Sequence, residues 1–163
     1  MDIVSAETRS RMMAGVRARN TRPEVVVHRT LFAAGFRFRL HRRDLPGAPD
    51  IVLLKYQLVI FVHGCLWHQH ENCHLVKMPA SNRGFWAEKL GRNQQRDRQN
   101  IERLIASGWR VQVVWECATR VPELAITLDK SLVAAVRCGP RYAVLPPQRH
   151  QAVSICETSR GAW

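Results

Sequence analysis

An α/β fold, with helices packed on a central mixed β-sheet, is what this sequence predicts, and three observations predict it. Apolar residues recur at helical spacing in separate stretches, short branched-apolar runs of strand length lie between them, and the order reads helix, three strands, helix, strand, helix. The 163 residues suit one domain, and with 46% apolar residues the chain can bury a substantial core.

Each element carries its own signal. Asn20 or Thr21 can cap a first helix that holds Pro23 in its first turn and ends at Gly35. Val26, Val27, Leu31 and Phe32 give it one buried face. Residues 36–40 alternate as Phe-Arg-Phe-Arg-Leu and predict a half-buried strand, closed by a turn at Leu45-Pro-Gly-Ala-Pro49. Two strands follow, residues 50–54 and 58–62, around a polar turn. Residues 62–81 predict irregular chain. Residues 83–107 predict a long polar helix with Ile101, Leu104 and Ile105 on its buried side and Gly108 at its end. Residues 110–115 are almost wholly apolar and predict a central strand. A last helix is expected around 122–136. Residues 1–21 read as a basic arm carrying Arg9, Arg11, Arg17 and Arg19, 22–140 as the folded domain, and 141–163 as a tail rich in Pro, Gly and Arg.

Charge points to the partner. There are 25 Lys+Arg against 13 Asp+Glu, a net +12, and only Lys55, Lys77, Lys89 and Lys130 are lysines. Arginine's planar fork grips phosphate bidentately, so a nucleic acid is the expected partner. The longest apolar run, residues 58–62, falls far short of the ~20 needed to span a bilayer, and the polar, Arg-rich start predicts no signal peptide. Five cysteines, an odd number, suit metal ligation in a cytoplasmic protein better than a disulfide framework.

The chemistry concentrates between His63 and His74, which reads His-Gly-Cys-Leu-Trp-His-Gln-His-Glu-Asn-Cys-His. Thiolate and imidazole are the ligands zinc favours, four in a tetrahedron. Cys65, His70 and Cys73 supply three at loop-compatible spacing; the fourth can be His68, His74 or Cys117. The surplus imidazoles suggest a second task. His63 follows a strand and Asp50 opens the preceding one, and neighbouring strands lie about 4.8 Å apart. A carboxylate and imidazoles in one pocket can hold Mg²⁺ and activate water for phosphodiester cleavage. Trp67 and Trp86 stand in polar surroundings, where large aromatics stack on bases; Trp109 and Trp115 read as core.

Several motifs, in order, resemble the very-short-patch repair (Vsr) endonucleases: Thr8-Arg-Ser-Arg-Met-Met13, Asn20-Thr-Arg-Pro-Glu24, Leu45-Pro-Gly-Ala-Pro-Asp50, and Phe61-Val-His-Gly-Cys-Leu-Trp-His68. The likeness continues in Phe85-Trp-Ala-Glu-Lys-Leu-Gly-Arg-Asn93, Arg96-Asp-Arg98, Gly108-Trp-Arg-Val111 and Val114-Trp-Glu-Cys117, and spans about residues 8–120. The resemblance implies a restriction-endonuclease-like core with the active site at one edge of the sheet. It implies that Asp50 and the Val62 carbonyl hold a catalytic Mg²⁺, with Glu24 supporting the cation's hydration. His68 is then the general base, His63, oriented by Asp97, assists at the phosphate, and Cys65, His70, Cys73 and Cys117 hold a structural zinc. Two departures stand out: Gln69 replaces a histidine of some relatives, and the His70–Cys73 gap is one residue longer.

For recognition, the resemblance implies apolar wedges beside the mismatch: Trp67, Trp86, Leu66 where a Phe is usual, and Met13 from the minor groove. Arg17 and Arg19 would add phosphate contacts, and Lys89 and Asn93, one turn apart, would read the mismatch edge. The expected substrate is duplex DNA with a T·G mismatch left by deamination of 5-methylcytosine, nicked by a monomeric cytoplasmic enzyme. Such an enzyme works beside a DNA cytosine-5 methyltransferase and other repair proteins. The competing expectations are a nuclease of the same fold cutting matched duplex, and a zinc DNA-binding module without catalysis.

Overall fold

Thr21 opens the first helix, α1 (Arg22–Ala33), through a reciprocal cap. Its hydroxyl accepts the Glu24 N–H at 3.5 Å and donates to Glu24 Oε1 at 2.8 Å, while the Asn20 N–H donates to Oε2 at 2.9 Å. The helix stops in a Schellman turn: Gly35 at φ +83 gives its N–H to the Phe32 carbonyl, and Phe36 to that of Leu31. That turn carries Phe36 into the core, edge-on to Tyr56 at 5.4 Å, so the strand expected over 36–40 shrinks to β1 (Arg39–Leu40).

The computed structural model describes residues 19–146. After β1 come β2 (Ile51–Leu53), a 3-10 turn (Leu54–Tyr56), β3 (Leu58–His63), α2 (Arg83–Ala106) and β4 (Arg110–Trp115), then α3 (Glu116–Arg120), α4 (Pro122–Cys138) and β5 (Tyr142–Leu145). The five strands form one mixed sheet in sequence order. β1–β2 and β2–β3 pair antiparallel, while β3–β4 and β4–β5 pair parallel across helical crossovers. The tail expected from residue 141 therefore begins with a sheet strand, held because Val144 and Leu145 are buried. The five-residue α3 and the strand order are the other features beyond the sequence reading.

Strand alternation divides the core. Ile51, Leu53, Leu58, Ile60 and Val114 face α1 and α4, meeting Val27, Leu31, Leu128, Leu132 and Val136. Val52, Val59, Phe61 and Val111 face α2 and meet Leu104. A third cluster joins Val113, Trp115 and Val144 to Cys65 and Cys117. This restriction-endonuclease-like layering, helices on both faces of a mixed sheet, puts the C-terminal ends of β3 and β4 side by side, with His63 opposite Trp115. Among the described residues no helix is long and apolar enough to cross a membrane.

Candidate active site and metal centre

Because Ile51 pairs with Ile60 in antiparallel register, the residue before β2 reaches the last residues of β3. That residue is Asp50, and its Oδ2 accepts the Val62 N–H at 2.7 Å. Burial pushes Asp50 up to about 6; the Val62 N–H bond and His68 work against this, and Glu24 adds to it. A carboxylate that is costly to charge alone gains from a cation beside it.

Glu24, only 4% exposed, meets Asp50 from the start of α1. Between them lies His41, in a left-handed turn at φ 48 whose N–H donates to the Asp50 carbonyl. Its Nε2 stands 3.8 Å from Glu24 Oε2 and its Nδ1 3.8 Å from Asp50 Oδ1. One ligand atom from each of Glu24, His41 and Asp50 lies within 4.8 Å of the others. The sequence reading missed His41. Its signal was register: β1 pairs Leu40 with Ile51, which sets residue 41 opposite Asp50.

Across the cleft stands an imidazole pair. His63 and His68 stack face to face, centroids 3.9 Å apart and 7° from parallel. Asp97 was expected against His63, but its Oδ2 meets His68 Nδ1 at 2.5 Å instead. The reason is local: β3 runs His63 under the loop beside Trp115, and the turn closed by His68 N–H to the Gly64 carbonyl lifts His68 toward α2. Burial would raise Asp97, but His68, through its hydrogen bond and charge, outweighs this with help from His63 and Arg96, and Asp97 sits below the usual range. His63 is pushed down to about 3, by burial first and then by His68, so it is neutral.

Glu24, Asp50, His63, His68 and Asp97 line one cleft of about 750 Å³ together with Gly47, Trp67, Arg96, Asn100 and Glu116, and His41 sits behind its wall against Glu24 and Asp50. Gly47, at φ +74, lets the 45–49 turn lie against Asn100; a Cβ there would come within 3.0 Å of that side chain. Glu116, a second residue not singled out from sequence, accepts the Cys65 N–H on Oε2 at 3.3 Å and pairs with Arg120 at 2.6 Å. It ties the loop after β3 to the helix after β4.

The Cys/His cluster lies beneath that loop. Cys65, His70, Cys73 and Cys117 converge, with His70 Nδ1 at 3.7 Å from Cys65 Sγ and 3.4 Å from Cys117 Sγ. Zn–S near 2.3 Å and Zn–N near 2.0 Å in a tetrahedron place S and N about 3.5 Å apart, so the donor set fits zinc. His68 and His74, the other candidates for the fourth position, stay outside the cluster, His68 on Asp97 and His74 exposed. The crowded Cys117 thiol and burial push Cys65 up to about 12, a cost a bound cation would remove. Between His70 and Cys73, Asn72 turns the chain in the left-handed region, at φ 55.

Three of the predicted DNA-contacting residues, Trp67, Trp86 and Lys89, meet near the start of α2. Trp67 and Trp86 lie 6.0 Å apart, and Lys89 Nζ sits 5.3–5.7 Å from the Trp67, Trp86 and Phe85 rings. Trp86 is buried, Leu66 and Trp67 are half-buried, and Phe85 is 56% exposed. Asn93 Nδ2 donates to the Trp67 carbonyl at 3.2 Å, so it braces the loop in this state. Arg19 is exposed; Met13 and Arg17 lie outside the described residues.

Comparison with known proteins gives the same direction. The family model described as DNA mismatch endonuclease Vsr matches residues 1–75. The type II nicking enzyme V.XorIIP of Xanthomonas oryzae pv. oryzae is 49% identical over 116 residues, covering 71% of this chain and 85% of that one. The DNA mismatch endonuclease Vsr of Escherichia coli is 46% identical over 119 residues, 73% and 76% of the two chains. The nicking enzyme V.NmeAIP of Neisseria meningitidis is 44% identical over 116 residues, 71% and 82%. On these likenesses, this chain belongs to the Vsr family of DNA mismatch endonucleases.

Proposed function

We propose that this protein nicks duplex DNA at T·G mismatches left by 5-methylcytosine deamination, beginning very-short-patch repair. The observation that carries the reading is the His68–Asp97 pair facing Asp50 across one cleft. With Nδ1–H given to Asp97, His68 presents Nε2 as an acceptor toward the cleft, the tautomer a general base needs. Asp97, held ionised, stabilises the imidazolium formed when His68 takes a proton from the attacking water. His63, neutral and stacked beneath, adds no second positive charge and offers an N–H to a phosphate oxygen.

Asp50 and the Val62 carbonyl suit Mg²⁺, which keeps most of its hydration and needs few protein ligands. When bound there, Mg²⁺ supplies charge neutralisation for the scissile phosphate and the departing oxygen. Zinc fits the Cys65/His70/Cys73/Cys117 set and would hold the loop that carries Leu66, Trp67 and His68. Trp67, Trp86 and Leu66, with Met13, are assigned as wedges entering the stack where a T·G wobble has weakened it. Lys89 and Asn93 are assigned to the mismatch edge, and the arginines of the arm to phosphate. The enzyme would work as a monomer in the cytoplasm, its sequence context set by a partner cytosine-5 methyltransferase.

The test is strand cleavage on labelled duplexes, T·G and matched, with and without Mg²⁺. Nicking of the T strand of the mismatched duplex alone, and only with the cation, is expected. Cleavage of matched duplex at the same rate would assign a general nuclease, and binding without cleavage in Mg²⁺ would end the catalytic reading.

A further inference from the structure

His41 has no place in the roles given above, yet it stands against both Glu24 and Asp50. Its ring sits between two carboxylates, 3.8 Å from an oxygen of each, too far for either contact to be a hydrogen bond. Its Nε2 is buried with no hydrogen-bond partner. A buried nitrogen aimed at a carboxylate with nothing between them is unfavourable, and a cation shared by the three groups removes the conflict. One ligand atom from each of the three groups lies within 4.8 Å of the others, close to the about 4.2 Å between opposite donors of a six-coordinate cation, and one ring nitrogen of His41 would bind.

We propose that His41 is a further protein donor to the cation held by Asp50 and the Val62 carbonyl, on the side where Glu24 stands, and that its nitrogen biases the pocket toward transition cations such as Mn²⁺ over Mg²⁺. The backbone holds the ring ready for this. The left-handed turn at His41 and its N–H bond to the Asp50 carbonyl tie the imidazole to the same strand pair that presents the Asp50 carboxylate. Glu24 is fixed independently by the Thr21 cap. An all-oxygen pocket accepts Mg²⁺ and Mn²⁺ alike, whereas an imidazole donor adds more for the transition ion.

This inference rests on the reading of Asp50 as a cation ligand, and the experiment separates the two. Zinc-loaded full-length protein is titrated with Mn²⁺ or Mg²⁺ without DNA, and the bound Mn²⁺ is examined by electron spin-echo spectroscopy for coupling to an imidazole nitrogen. Wild type should show the coupling, His68→Gln should keep it, and His41→Gln should lose it. His41→Gln should also lose at least about tenfold in Mn²⁺ affinity, by comparison with losses seen when metal-site partners are removed, and lose less for Mg²⁺. His41→Asn gives the same readout if the Gln variant does not fold. Nitrogen coupling that persists in His41→Gln, or that is absent from wild type, overturns the role of His41 and leaves Asp50 standing. Unchanged binding of both cations in Asp50→Asn would remove the pocket itself.

Discussion

Cys117→Ser tests how far the loop after β3 depends on metal. Residues 64–82 contain no helix or strand, and their backbone is closed by few bonds, such as His70 N–H to the Cys65 carbonyl at 2.9 Å and Val76 N–H to that of Cys73 at 3.0 Å. Structural zinc contributes about 10–16 kcal/mol of apparent binding energy that is also folding energy. Losing one of four ligands at a proportionate share costs about 2.5–4 kcal/mol, a large part of the ~5–15 kcal/mol that holds a domain folded. At about 2–4 °C per kcal/mol for a domain of this size, the Tm should fall by roughly 5–16 °C. Zinc per chain, read by elemental analysis, should drop well below one. His74→Ala, altering an exposed histidine outside the cluster, should change neither value. A Cys117→Ser protein with full zinc and an unshifted Tm would refute the assignment, as would wild type unaffected by a strong chelator.

Three further outcomes follow from the cleft. Asp50→Asn should abolish Mg²⁺-dependent nicking while fluorescence anisotropy shows equal or tighter DNA binding, since a negative charge facing phosphate is gone; near-normal cleavage would move the active site elsewhere. His68→Ala should slow single-turnover cleavage by roughly 10²–10⁴-fold, and Asp97→Asn should reproduce much of that loss at unchanged DNA affinity because the tautomer is no longer set; a wild-type rate in Asp97→Asn would show the 2.5 Å contact to be idle. Trp67→Ala should cost about 1–3 kcal/mol of binding to the T·G duplex and little on matched duplex, whereas Arg19→Ala should weaken both alike; equal losses for Trp67→Ala would make its ring a generic contact.

Most of the fold was legible because caps and periodicity are local. Thr21, Gly35 and Gly108 mark helix ends through bonds made within a few residues, and any chain carrying them in that order would be read the same way. What escaped depends on distant partners. The four residues of β5 are too few to show a period, and they become a strand only because β4 pairs Val113 with Val144. Residues 36–40 alternate well, yet the Schellman turn pulls Phe36 out of line to meet Leu31 in the core.

The same division runs through the site. Residue chemistry exposed the Cys/His loop, since no other use of so many soft ligands in twelve residues competes. Spacing alone left the fourth ligand open among His68, His74 and Cys117, and the parallel pairing of β3 with β4 brings Cys117 to the other three. His63 lies opposite Trp115, so the chain two residues beyond Trp115 arrives beside the loop that begins two residues beyond His63. Asp97 depends on helix phase: Trp86, Asn93, Asp97 and Leu104 fall along one stripe of α2, so the stripe is apolar at its ends and polar where it crosses the cleft. Which histidine Asp97 meets is then a matter of height above the sheet, and the turn from Gly64 to His68 raises one ring over the other. His41 depends on hairpin register, visible only once β1 is known to pair with β2. Strand pairing chose the partners of Cys117 and His41, helix phase and the Gly64–His68 turn chose that of Asp97, and none of these is encoded by a local pattern.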